Sequence, residues 1–210
     1  MKFVRNHWYD VGAIFCIVIL IYISFEHTQL SNYQLLMWCS LASLFLHQLE
    51  EYRIAGTFPG MINKVVFKSP QPDRYPLNTN TSFFINAGEG WLLYFLAAYF
   101  AEKAVWLGIT ALMISLGNII AHSFLFNIKG KTFYNAGLLT CWIFFVPCIY
   151  FFSRIACSTG LVTTKDYLIG IPLGIILNIF GILKLIEWLS DKNTTYIFPQ
   201  RNLLPADRNA

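Results

Sequence analysis

Five side chains that seldom occur in apolar sequence stand out in this chain: His47, Glu50, Glu51, Glu89 and His122. The first three belong to one short run, His47-Gln48-Leu49-Glu50-Glu51. At about 100° per residue, a helix places that imidazole and both carboxylates within an arc of about 100°. Such a group can hold a divalent cation or perform acid–base chemistry. A helix ending at Glu51 turns its partial negative end toward both carboxylates, so a metal, Arg53 or a protonated histidine must compensate. Glu89 sits between Gly88 and Gly90, three residues after Asn86. Glycine there weakens a helix but lets another backbone or a ligand come close. His122 follows Asn118 by one helical turn, and Asn127, Tyr134 and Asn135 follow around a short loop. Lys184 and Glu187 are spaced to pair on a helix surface, and Trp188 suits a membrane interface.

The elements that must carry these groups are apolar. The chain has 210 residues, 56% hydrophobic and only 12% charged. About 25% charge is usual for a soluble domain, so this chain cannot cover a water-facing surface. Its apolar residues come in blocks near the roughly 20 residues that cross a bilayer. The reading is an all-α polytopic transmembrane bundle of about six helices forming one domain, 1–210. The expected spans are about 11–25, 34–51, 82–101, 104–126, 136–155 and 167–189. No cleavage site of small residues follows the first apolar run, so that run is expected to be retained. The five cysteines fall in or beside apolar blocks without metal-ligand spacing, and are expected to be packing residues without a disulfide. Gly170 and Gly174 form a small-residue pair suited to close helix contact.

Charge sets the expected orientation. Eleven Lys and Arg residues (Lys2, Arg5, Arg53, Lys64, Lys68, Arg74, Lys129, Lys131, Lys192, Arg201 and Arg208) fall on one side of a six-span chain. Lys103, Arg154 and Lys165 fall on the other. The positive-inside rule then places both termini in the cytoplasm. The expected setting is a multi-pass membrane protein, in the plasma membrane or, in a bacterium, the inner membrane. The net charge of +4 lies in loops and tails. It suits anionic lipid headgroups, and no nucleic-acid partner is expected. All five ionisable candidates then lie near the cytoplasmic face. A charged group within a span costs roughly 2.5–3.5 kcal/mol at the helix centre, so each is a functional candidate.

The run His47-Gln48-Leu49-Glu50-Glu51-Tyr52, followed by Gly56, Phe58 and Pro59, resembles the signature of the HXXEE domain family of small integral membrane proteins. Asn118-x-x-x-His122 and Tyr134-Asn135-Ala136-Gly137, with Thr140 and Pro147, resemble its later landmarks. The likeness covers about Leu44 to Pro147. It departs at Ala136, where the family pattern leads one to expect proline. The resemblance implies a membrane enzyme, metal-dependent, with His47, Glu50, Glu51 and His122 as its polar centre. It brings no settled activity.

The residues themselves lead to the same expectation. Two imidazoles and up to three carboxylates form a ligand set that suits Zn, Fe or Mn. His47, Glu51, Glu89 and His122 are the expected ligands, with Glu50 a ligand or general base. The expected catalytic groups are Glu50, Glu51, Glu89 and His122. Asn86, Asn118, Tyr134 and Asn135 are expected behind the ligands or at the substrate. The expected activity is hydrolase or oxidoreductase chemistry on a lipidic or apolar molecule at the cytoplasmic leaflet. Two alternatives stay open: a metal-free acid–base isomerase or cyclase, and a proton- or cation-coupled transporter. Transporters usually place their site near the midplane between inverted repeats. This chain has no visible repeat, and its polar groups lie off centre.

Overall fold

A computed structural model describes residues 2–208 as an all-α bundle, with no strand among them. Six long helices cover α1 (Lys2–Glu26), α2 (32–54), α3 (79–100), α4 (105–130), α5 (Leu138–Thr159) and α6 (Thr164–Trp188). Helices long and apolar enough to cross a membrane cover Lys2–Glu26, Thr79–Gly130, Leu138–Thr159 and Thr164–Trp188. The stretch Thr79–Gly130 doubles back at Ala101 (φ 39°), which makes it the antiparallel pair α3 and α4. The Tyr94 hydroxyl joins that pair, donating to the Ala111 carbonyl at 2.8 Å beside the Ser115 hydroxyl.

α2 is the central helix and carries more of the buried polar residues than any other helix: Ser40, Ser43, His47, Gln48, Glu50 and Glu51. A full capping box starts it, with Ser31 and Gln34 satisfying each other's backbone N–H groups. It packs against α1, α3 and α5. α1, α5 and α6 turn apolar faces outward, as Ile17, Phe151 and Leu168 illustrate. α6 rests chiefly on α4. A Cβ at Gly170 would come within 2.7 Å of both Ile109 Cβ and the Trp106 carbonyl, so only glycine permits that crossing. The six helices overlap the expected segments in order; α2 is not among the helices long and apolar enough to cross a membrane, and α1 begins at Lys2 rather than near Val11. Its first turns bury Trp8 and Tyr9 against Tyr52, with ring centroids 4.8 and 5.9 Å apart.

Both described chain ends gather at one end of the bundle. The connection after α2 folds into a short helical segment, 58–66, beneath α2 and α4. Asn63, fully buried, holds it through the Pro72 carbonyl and both backbone groups of Leu77. The tail after α6 lies over that connection. Thr79 N–H donates to the Tyr196 carbonyl, and Phe198 N–H donates to that of Asp73. The buried Asn202 amide donates to the carbonyls of Tyr52 (3.0 Å) and Gly56 (2.6 Å), just past Glu51. Leu203 and Leu204 then cross Gly60 where no Cβ fits.

Asn202→Ala would leave two buried carbonyls without donors, a loss of about 1–3 kcal/mol. The expected result is a lower thermal midpoint in detergent, with faster proteolysis of the tail.

Candidate metal centre

The site forms where α2, α4 and the start of α5 meet. On α2, Glu50 and Glu51 stand about 100° apart and flank the direction of His47. Glu51 faces α4, while Glu50 faces α5. The Glu51 Oε1 atom lies 3.5 Å from Nε2 of His47 and 3.2 Å from Nε2 of His122. The two rings meet nearly edge to face, with centroids 5.0 Å apart. All three side chains are buried.

Hydrogen bonding orients both imidazoles. Asn135 donates its amide to the His122 carbonyl and to Asn127 Oδ1, both at 2.8 Å. Its Oδ1 therefore accepts from Nδ1–H of His122 at 2.5 Å. The Thr140 hydroxyl donates to Glu50 Oε2 at 2.5 Å, so its oxygen accepts from Nδ1–H of His47 at 2.9 Å. With both protons on Nδ1, both Nε2 atoms carry lone pairs. Neither Nε2 has a hydrogen-bond partner among the described residues, although each lies close to Glu51. Three acceptors thus converge. Ligands about 2.0–2.2 Å from a tetrahedral zinc would stand roughly 3.4 Å apart, close to the 3.2 and 3.5 Å measured.

Glu50 leaves the expected ligand set. Its two oxygens accept from Tyr134 OH, Leu139 N, Thr140 N and Thr140 Oγ1. Four donors fill a carboxylate's acceptor sites. Glu50 therefore ties α2 to the first turn of α5 and, through Thr140, orients His47. Tyr134 reaches the centre only through Glu50.

Glu89 lies across a cavity of about 70 Å³ that His47, Glu51, Asn86 and Asn118 also line. Its Oε1 is buried with no hydrogen-bond partner among the described residues. The glycine that makes room for it is Gly181 on α6, where a Cβ would overlap its carboxylate. Gly88 and Gly90 are not crowded in this way. Asn118 donates to the Ile114 carbonyl, which leaves its oxygen toward the cavity wall. Asn86 bonds Gln48, Tyr52 and the Ser82 carbonyl. Lys184 and Glu187 pair at 2.6 Å and are exposed.

Three further residues acquire a role only in three dimensions. Gly137 (φ 107°) lies against both rings; a Cβ there would collide with His122 and come within 2.8 Å of His47 Cε1. Phe58 stacks on His122 with ring centroids 5.8 Å apart and closes the site from the loop side. Cys141 lies with its Sγ 3.8 Å from Nδ1 of His47, and it groups with His47 and His122 as potential ligands within 4.8 Å of one another. It approaches His47 at the nitrogen already bonded to Thr140, whereas Glu51 approaches both histidines at Nε2. All five cysteines are free.

Five of these helices widen to i→i+5 turns at this level: Glu50–Ile54, Phe84–Gly90, Ala121–Leu125, Cys141–Phe145 and Leu177–Lys184. Such turns are rare and are frequent at functional sites.

A family profile described as a protein of unknown function with HXXEE motif matches residues 38–152. The chain belongs to the HXXEE family. The matched region runs from α2 into α5 and so contains every member of the centre. No curated protein and no solved structure matches the chain. In this HXXEE protein the motif histidine and second glutamate point into the site, while the first glutamate fastens α5.

Gly137→Ala combines a collision with an unfavourable φ and should cost about 1–3 kcal/mol. The expected signs are a lower thermal midpoint and loss of the hydrogen-bonded imidazole proton between His122 and Asn135 from the downfield NMR spectrum.

Proposed function

We propose that this chain is a membrane-embedded enzyme with a divalent-metal centre held by His47, Glu51 and His122, acting on a lipidic or apolar substrate. One observation carries the reading: both Nε2 lone pairs converge with a carboxylate oxygen, and both Nδ1 protons are fixed by acceptors behind them. Metal-ligating histidines are oriented by such outer hydrogen bonds. Two histidines and one carboxylate are the ligand set of catalytic zinc sites and of non-haem iron sites with open positions. A bound Zn, Fe or Mn ion would supply Lewis-acid polarisation and lower the pKa of a water molecule.

The chain's own residues would do the rest. Glu89 lines the same cavity as His47 and Glu51, and its carboxylate packs against Gly181 with Oε1 unpartnered among the described residues, so it can accept or return a proton within the site. Asn118 offers an amide to a polar group of the substrate. Phe58, stacked over His122, shields the centre from the loop side. Glu50 and Asn135 hold the imidazoles in place.

We place the chain across the bilayer six times, with both ends and the polar centre at the cytoplasmic face. The eleven-to-three distribution of Lys and Arg supports that orientation. The gathering of both described chain ends at one end of the bundle supports an even number of spans.

Metal analysis of the purified protein tests the reading. About one equivalent of metal is expected, and it should be lost in His47→Ala, His122→Ala and Glu51→Gln. Chelation should lower the thermal midpoint of the wild type and leave those variants unmoved. Absence of stoichiometric metal, with activity that survives chelators, would replace this reading with the metal-free acid–base one. Metal-free flux in proteoliposomes, abolished by Glu89→Gln, would replace it with transport.

The two motif glutamates should separate cleanly. Glu50→Gln sets an amide against backbone and hydroxyl donors and should cost about 2–3 kcal/mol with or without metal. Glu51→Gln removes metal binding but gives the Nε2 lone pairs a donor. In metal-free protein its midpoint should equal or exceed that of the wild type.

A further inference from the structure

The cavity beside the proposed ligands cannot enclose a whole lipid. Its volume of about 70 Å³ falls well short of the roughly 300–1,000 Å³ typical of small-molecule sites. A second recess lies against it. This is an apolar groove of about 900 Å³ sunk between α1, α2 and α3. The aromatic side chains of Phe15, Tyr22, Trp38, Phe45, Phe95 and Tyr99 line it.

The two spaces share a partition. Along α3, Ala87 and Gly88 line the groove, whereas Glu89 and Gly90 line the cavity. Trp91 lines the groove, and its indole N–H donates to Gln48 Oε1 at 2.7 Å. Gln48 in turn lines the cavity and donates to Asn86 at 3.2 Å. The partition therefore includes one indole and one amide, with Leu44 of α2 on the cavity side and Phe45 on the groove side, beside a glycine that has no side chain to close the gap. A Cβ added to Gly88 meets only Phe84 Cδ1, at 3.7 Å. From Gly88 to Tyr99 the groove follows twelve residues of α3, eleven helical steps. That is about 17 Å at 1.5 Å per residue, roughly half the hydrocarbon core of a bilayer.

We infer that the groove seats the hydrocarbon chain of a single-chain lipid, whose polar end passes the Trp91–Gln48 pair to reach the cavity. The inference rests on the reading of His47, Glu51 and His122 as a reaction centre. One apolar groove joined to one small polar cavity matches a molecule with one chain and one polar end. Bulk bilayer lipid needs no recess, since it covers exposed apolar helix faces such as that of α6, where Leu168, Ile175 and Ile179 are exposed. Trp91 is braced by Phe15 and Phe45, with ring centroids 5.7 and 5.2 Å away. Its hydrogen bond to Gln48 is the contact that must open for the polar end to pass.

Photolabelling tests this with palmitate bearing a mid-chain diazirine, using the full chain in nanodiscs. Mass spectrometry would map labelled peptides in the wild type, Gly88→Trp, Leu92→Trp and His47→Ala. The expected labels lie on 38–45 and 92–99 and disappear with excess palmitate. Both tryptophan variants should cut the competed labelling about tenfold, the loss when a couple of methylenes are denied burial, and should retain the wild-type metal content. Leu92 is exposed on the groove wall, so its variant decides the matter if Gly88→Trp does not fold. His47→Ala should lose metal and keep the labelling. Groove labelling in a wild type without metal would leave the groove standing and remove the metal centre. Labelling that is uncompeted, spread over α5 and α6, or unchanged in both tryptophan variants would overturn the inference.

Discussion

Three buried acceptors face one another at the centre of this bundle, and the rest of the polar architecture follows from that arrangement. Lone pairs on two imidazoles and a carboxylate repel at short range, and burial without a donor is costly. The fold holds them there by giving each imidazole an acceptor on its far side. Asn135 serves His122, and Thr140 serves His47. Thr140 can accept only because Glu50 takes its proton. Glu50 is thus essential to the geometry without touching the meeting point of the three acceptors. Gly137 lets the turn carrying Asn135 and Thr140 press against both rings.

The helices were legible in the sequence because long apolar blocks have few other stable arrangements. The shared direction of His47, Glu50 and Glu51 followed from helical spacing. Glu50 was harder: its direction differs from that of Glu51 by one residue's rotation, and only the position of α5 decides which neighbour each carboxylate meets. Gly181 lies more than ninety residues from the Glu89 it accommodates, and no local pattern links them. Asn202 sits in a tail that reads as ordinary polar sequence, yet it completes the turn that ends the motif. Gly137 and Thr140 were visible as landmarks, and their tasks were not.

The wide turns have a common physical effect. An i→i+5 turn inserts an extra residue into a helix, so the side chains beyond it rotate relative to those before it. α2 through α6 each change register at the level of the polar centre. A helix can then present an apolar face to its neighbours along most of its length and a different face at the site. In α5 the wide turn also precedes Pro147, which falls where the following helix begins and needs no N–H partner.

The docking of Asn202 under α2 has a consequence for biogenesis. Synthesis runs from the first helix to the tail, so the motif helix exists long before the residue that secures its last turn. Until that segment emerges and folds back, the Tyr52 and Gly56 carbonyls must find other donors. The polar centre is therefore finished late, by a segment outside the bundle, after all six helices have been made. Formation of the helices and completion of the site are separate events in the life of this chain.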